Sequence, residues 1–175
     1  MTFVSPKSVT NLVIRKIVPE DADIVAHLVQ EHAIYEKMPD APKVTVEETE
    51  RNLRNQVCAG FLALDGEKPI GLLLYFLAYS SWEGQYPFME DLYVRPQYRR
   101  QKVGLGLWKE LGKTAKKHNY PRIEWAVAKW NESALKFYDT TKATNLTEEK
   151  GYMKFRITEE GIEQLADDLN VHAAI

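Results

Sequence analysis

The segment Glu90-Asp91-Leu92-Tyr93-Val94-Arg95-Pro96-Gln97-Tyr98-Arg99-Arg100-Gln101-Lys102-Val103-Gly104-Leu105-Gly106 carries the clearest chemistry in the chain. It reads as a strand that stops at Pro96, a basic turn, and the start of a helix. Backbone N–H groups of such a turn, added to the unpaired N–H groups of a helix's first turn, make a concave donor array at positive potential that suits a pyrophosphate. Arg99, Arg100 and Lys102 add whole charges beside it. A strand-to-helix turn that uses its basic residues and glycines for geometry alone would look the same. Spacing excludes two nucleotide-binding patterns: GxxxxGK[ST] is absent, and the third glycine of GxGxxG falls on Lys109.

A second segment, Trp130-Asn131-Glu132-Ser133-Ala134-Leu135-Lys136-Phe137-Tyr138, opens on a good helix N-cap, Asn131. Ala134 and Tyr138 are four apart and share a helix face. Taken alone, Tyr138 reads as an amphipathic core residue more readily than as a site.

The elements that must position these residues follow from periodicity. Residues 12–17 alternate as a first strand, and Pro19-Glu20-Asp21 opens a helix over 21–37 whose acidic start suits the helix dipole. Thr45 three residues before Glu48 predicts a capping box on a charged helix over 45–57. Two β-rich runs, 61–64 and 69–79, flank the hairpin signal Asp65-Gly66, and 88–94 is the next strand. Residues 103–119 form a helix with Trp108, Leu111 and Ala115 on one stripe. Then come a strand over 123–128, a short helix over 131–141, a last strand over 152–157 and a last helix over 159–169. Strands in a block followed by strands alternating with helices give an α/β or α+β fold around a mixed sheet, in a single domain.

Composition narrows the function. The 175 residues carry 23 Lys plus Arg against 25 Asp plus Glu, a net charge of -2, which argues against electrostatically driven nucleic-acid binding. One cysteine, Cys58, cannot form an internal disulfide, and the four histidines lack metal-ligand spacing, so no metal is expected. Cys58 has no partner histidine nearby in sequence and reads as structural. The apolar run 70–79 is too short to span a bilayer and the amino terminus has no signal core, so the expectation is a cytoplasmic protein without a membrane.

The order and spacing of the two informative segments resemble those of the GNAT superfamily of acetyl-CoA-dependent N-acetyltransferases, and within it the diamine acetyltransferases. The resemblance runs from about Leu12 to Leu165 and is most specific in three places. These are Glu90-Asp91-x-x-Val94-x-x-x-Tyr98-Arg99, Trp130-Asn131-Glu132-x-x-x-x-Phe137-Tyr138, and Asn145-Leu146-Thr147-Glu148-Glu149-Lys150-Gly151. Tyr35-Glu36 and Trp82 also match. It implies a mostly antiparallel, twisted sheet flanked by helices, with acetyl-CoA as cosubstrate. The backbone of Leu92, Tyr93 and Val94 would pair with the pantetheine arm. Arg99, Arg100, Gln101, Lys102, Val103, Gly104, Leu105 and Gly106 would hold the pyrophosphate, and Asn131, Ser133, Ala134 and Tyr138 would complete the cofactor site. The chain departs from the family pattern at one glycine, where the register Arg99-x-x-Lys102-x-Gly104 puts a lysine. A slid register, Gln101-x-x-Gly104-x-Gly106, fits literally, but the first needs no insertion and is preferred.

Acetyl transfer needs a neutral amine. An alkylammonium of pKa about 10.4 is deprotonated only about once in 2,500 molecules at pH 7. The resemblance makes Glu90 the proton acceptor and Tyr138 the donor to the leaving thiolate, and a regular strand would turn Asp91 to the opposite face. It also implies a homodimer and a small-molecule amine bound by Tyr35, Glu36, Trp82, Glu90 and Lys150. Ser80 and Lys150 stand where the spermidine-type enzymes carry acids, which favours a smaller amine such as a lysine-like amino acid over a long polyamine. Two further readings stay open: acetylation of a protein or peptide amine, and a non-catalytic acyl-CoA-binding module.

Overall fold

The computed structural model of the protein describes residues 6–167, which divide into two compact units on either side of the Ala126–Val127 boundary. The first unit is built on one five-stranded sheet with strand order β1-β2-β3-β4-β5. The strands are β1 (Leu12–Lys16), β2 (Ala59–Asp65), β3 (Lys68–Ser80), β4 (Gly84–Val94) and β5 (Glu124–Trp125). The first four pair antiparallel in sequence order, and β5 joins β4 in parallel. Three helices belong to this unit: α1 (Ala22–Tyr35), α2 (Val46–Arg54) and α3 (Val103–Lys117). The fold is therefore the expected mixed α/β architecture around a mostly antiparallel open sheet.

The core explains the apolar run in β3. Leu72 and Leu74 join Leu62, Leu64 and Tyr93 under Val25 and Leu28 of α1. On the opposite side, Gly71 comes near Leu107 of α3, whose Val103, Leu107, Leu111 and Ala115 are buried. A strand covered on both faces reads as continuous apolar sequence, not as alternation. Past Leu74 the cover ends, and Phe76, Leu77 and Tyr79 are exposed.

The start of α1 is fastened to β1. Arg15 forks onto the Asp21 carboxylate with two 2.7 Å bonds, and Val18 N–H donates to Asp21 Oδ2 at 2.9 Å. The Thr45–Glu48 capping box of α2 forms as expected, each residue's side chain accepting from the other's backbone N–H at 3.2 Å.

The second unit holds α4 (Glu132–Tyr138), α5 (Leu146–Lys150) and α6 (Glu159–Asp167). Asn131 caps α4, its Oδ1 accepting from Ala134 N–H at 3.2 Å. Three expectations need correction. The strand over 123–128 contracts to two residues, because β4 accepts a parallel partner only at Phe88 and Met89. The short helix expected over 131–141 ends at Tyr138. Residues 152–157 alternate like a strand but form none: Tyr152, Met153, Phe155 and Ile157 are all exposed, so neither face is buried. The short α5, capped by Asn145, was not anticipated, and the end of the helix expected over 159–169 lies outside the described residues.

Candidate active site

The site in the first unit is organised by β4. Its register against β3 pairs Leu74 with Asp91 and Tyr75 with Met89, so Glu90 is an extra, bulged residue with no opposite partner. The strand is not regular there, and simple alternation does not assign its side chains. Asp91 engages α1, whereas Glu90 is exposed and has no Lys or Arg partner among the described residues. A bulge takes one residue out of the strand's alternation, and Glu90 is that residue here.

Beyond the bulge one edge of β4 pairs with no strand among the described residues and is open in that sense. The strand pairs with β5 at Phe88 and Met89 only, while its pairing with β3 continues to Val94. Arg95 N–H bonds the Ile70 carbonyl of β3 at 3.0 Å, so in a trans peptide the Val94 carbonyl points the other way. A Cβ on Gly71 would lie 2.9 Å from the Tyr93 carbonyl, which therefore faces β3 and turns Val94 N–H outward. By the same alternation, the N–H and C=O of Leu92 face the open edge.

The turn that follows bends through two left-handed residues. Arg100 and Lys102 both adopt positive φ, 63° and 65°, and Lys102 is the N-cap of α3. Gly106 N–H bonds Lys102 O at 2.9 Å, so the N–H groups of Val103, Gly104 and Leu105 precede the first intrahelical bond. Positive φ at Lys102 supports the register Arg99-x-x-Lys102-x-Gly104, because this is the position that favours glycine. Gly106 has a different reason to be glycine: a Cβ there would lie 2.5 Å from Ile14 Cδ1.

Two side chains expected at the pyrophosphate are engaged elsewhere. Gln101 accepts from Val9 N–H at 2.8 Å and donates to Lys7 O at 2.6 Å, tying down the amino-terminal segment. Arg99 Nε donates to the Val94 carbonyl at 2.8 Å, and its guanidinium stacks 4.1 Å above the Tyr35 ring. Arg100 and Lys102 are exposed.

The α1 face of β4 carries a polar network that sequence reasoning missed. Arg95 forks onto Glu31 with bonds of 2.7 to 3.1 Å and also donates to Pro69 O at 2.6 Å. Tyr93 Oη donates to Glu31 at 3.4 Å, and burial together with the Glu31 charge pushes its hydroxyl up to about 12. His32 stacks on Tyr93 with ring centroids 5.4 Å apart and places Nδ1 2.8 Å from Asp91 Oδ1. Helical spacing was the available signal, since Glu31, His32, Tyr35 and Glu36 fall within two turns of the face that carries the expected Tyr35-Glu36.

The remaining expected residues lie in two places. Trp82 sits in the β3–β4 turn, where its backbone N–H and that of Glu83 donate to Ser80 Oγ, and the residue is 90% exposed. In the second unit, burial pushes the Tyr138 hydroxyl up to about 12, so it keeps its proton at neutral pH. Ser133 is exposed on α4, and Lys150 pairs with its neighbour Glu149 at 3.4 Å. Burial also pushes the Cys58 thiol up, which disfavours a reactive thiolate.

Comparison with known proteins gives a consistent answer. Residues 25–141 match the family described as "Acetyltransferase (GNAT) family". Thialysine N-epsilon-acetyltransferase of Caenorhabditis elegans is 39% identical over 158 residues, covering 90% of this chain and 99% of the relative. The protein of that name from Bos taurus is 31% identical over 165 residues, covering 89% and 97%. Among solved structures, an aminoglycoside acetyltransferase from an uncultured soil metagenomic sample superposes with a TM-score of 0.73 at 21% identity, covering 85% of this chain and 96% of that one. That last likeness speaks to the fold alone.

Proposed function

We propose, because this chain belongs to the acetyltransferase (GNAT) family and is an acetyltransferase, that it moves the acetyl group of acetyl-CoA to the primary amine of a small lysine-like amino acid or diamine. The observation that carries the reading is the open edge of β4 running into the positive-φ turn at the start of α3. The thialysine acetyltransferases among its relatives support the acceptor class. The family match crosses the boundary between the two compact units, which supports one acetyltransferase domain over residues 1–175.

Acetyl-CoA brings the acyl thioester and a diphosphate, and this chain has groups of the right kind for both ends. The outward N–H and C=O of Leu92 and the N–H of Val94 suit an amide-bearing arm. The N–H groups of Val103, Gly104 and Leu105, with the charges of Arg100 and Lys102, suit the diphosphate. Arg99, Gln101, Gly106 and Tyr93 act by shaping this surface. Asn131 and Ala134, with Ser133, form the first turn of the helix that carries Tyr138.

Glu90, taken out of the strand's alternation by the bulge and unneutralised, accepts the proton of the acceptor's ammonium, and the protonated Tyr138 supplies one to the departing sulfur. Tyr35, Glu36 and Trp82 line the acceptor side. Lys150 disfavours a long polycation: Lys150→Glu should raise kcat/KM for spermidine relative to thialysine by about 10-fold, equivalent to about 1.4 kcal/mol. An unchanged ratio would place Lys150 outside the site.

The working form is a cytoplasmic homodimer. The exposure of Trp82, Tyr79 and Phe155 supports it, since a second copy would cover such side chains. Sedimentation giving only the 20.2 kDa mass at micromolar concentration would remove this part of the reading. The overall proposal is tested by following thiol release from acetyl-CoA against a panel of thialysine, lysine, putrescine, spermidine and peptides. Preferential turnover of thialysine is expected, and preferential turnover of peptides would overturn the acceptor class.

A further inference from the structure

His32 belongs to no expected motif, yet its surroundings are specific. Its Nδ1 lies 2.8 Å from Asp91 Oδ1. A carboxylate only accepts, so Nδ1 carries a proton, and in the tautomer that holds this proton alone Nε2 presents a lone pair. That nitrogen lies 3.7 Å from Glu36 Oε1. In that tautomer two acceptors face each other. The ring is held in place by its stack on Tyr93, and Glu36 lies one helical turn further along the same face. Both side chains remain partly open, at 18% and 29% exposure. Of the guanidiniums on this face, Arg95 is forked onto Glu31 and Arg99 is bonded to Val94 O. A primary alkylammonium, with three N–H donors and one positive charge, satisfies both acceptors at once.

We propose that His32 Nε2 and the Glu36 carboxylate form a two-acceptor clamp for an alkylammonium group of the acceptor amine, which makes His32 a specificity-determining residue of this chain. The inference rests on the amine-acetyltransferase reading above. In this arrangement Asp91 is the group that fixes the His32 tautomer, and so keeps Nε2 available as an acceptor. The clamp holds substrate and moves no proton, so its loss acts on binding.

The test is steady-state kinetics of the full chain with acetyl-CoA and thialysine, comparing wild type with His32→Leu, His32→Asn and His32→Gln. Glutamine can place its amide oxygen near the position of Nε2, whereas asparagine can replace only the Nδ1 donor to Asp91. The clamp requires His32→Leu to raise the amine KM by about 10-fold or more with kcat and the acetyl-CoA KM little changed, as expected for a lost hydrogen bond to a charged group. It also requires His32→Gln to recover much of that affinity and His32→Asn to recover little. An unmoved amine KM in an active His32→Leu enzyme overturns the clamp, as does recovery by asparagine but not glutamine. Should His32→Leu fail to fold, the asparagine and glutamine variants decide between the same outcomes. Wild type that acetylates no amine on the panel overturns the functional reading and the clamp together, whereas an active wild type with an unmoved KM overturns the clamp alone.

Discussion

Arg99 Nε donates to the backbone carbonyl of Val94 at 2.8 Å and so occupies one acceptor on the open edge of β4. The outward groups left for an incoming chain are the N–H and C=O of Leu92 and the N–H of Val94. These two amides should exchange with solvent deuterium readily in the free protein and become protected when acetyl-CoA is added, while Arg95 N–H, already bonded to Ile70 O, stays protected throughout. Unchanged exchange at Leu92 and Val94 would mean that the cosubstrate does not use this edge.

Replacing Tyr138 by phenylalanine removes the hydroxyl proton while keeping most of the ring's packing. Turnover should fall by about 10²-fold or more with acetyl-CoA affinity little changed. The upward push on this hydroxyl to about 12 keeps it protonated across the neutral range, so the wild-type rate should show no loss from Tyr138 ionisation at pH 7 to 9. A Tyr138→Phe enzyme with normal turnover would return the residue to a purely structural role.

Lys102 holds a left-handed backbone conformation that costs a lysine about 1 kcal/mol relative to glycine. Lys102→Gly should therefore stabilise the fold, raising the thermal midpoint by about 2–4 °C for a chain of this size. The same change removes a charge beside the α3 N-terminus, so the KM for acetyl-CoA should rise. A lower midpoint would show that the lysine side chain makes a compensating contact; an unchanged KM would remove it from the phosphate site.

How far the sequence could be read depended on whether an element's pattern came from one partner or several. β4, its basic turn and α3 were legible because strand, punctuation at Pro96 and helix periodicity all lie within one short stretch. The bulge at Glu90 was not, since it exists only in the register between β3 and β4. The Glu31–Arg95 and His32–Asp91 pairs were equally hidden, because each joins residues about sixty positions apart. Residues 152–157 show the converse failure, as an alternating pattern predicts a strand only where a neighbour is present to pair with it.

Asp21 gives the fold an acid-sensitive fastening. The Arg15 fork, aided by the Val18 N–H, holds its carboxyl below the usual carboxylate range against the opposing effect of burial. A folded-state pKa below the unfolded value means that this stabilisation is complete above the unfolded value, about 3.9, and disappears as pH falls through the folded one. Urea unfolding at neutral pH should show Asp21→Ala weaker by about 2 kcal/mol, toward the modest end because Arg15 can still reach water. The difference from wild type should shrink in acid below pH of about 4. A difference independent of pH would assign the loss to packing instead of charge.

The central claim is that this chain transfers acetyl groups from acetyl-CoA to the side-chain amine of a lysine-like amino acid. Mass spectrometry of thialysine incubated with acetyl-CoA and the purified protein tests it most directly. The account predicts a single N-acetylated product whose formation matches thiol release one for one and is nearly abolished in Tyr138→Phe. Thiol release with no acetylated thialysine would contradict it.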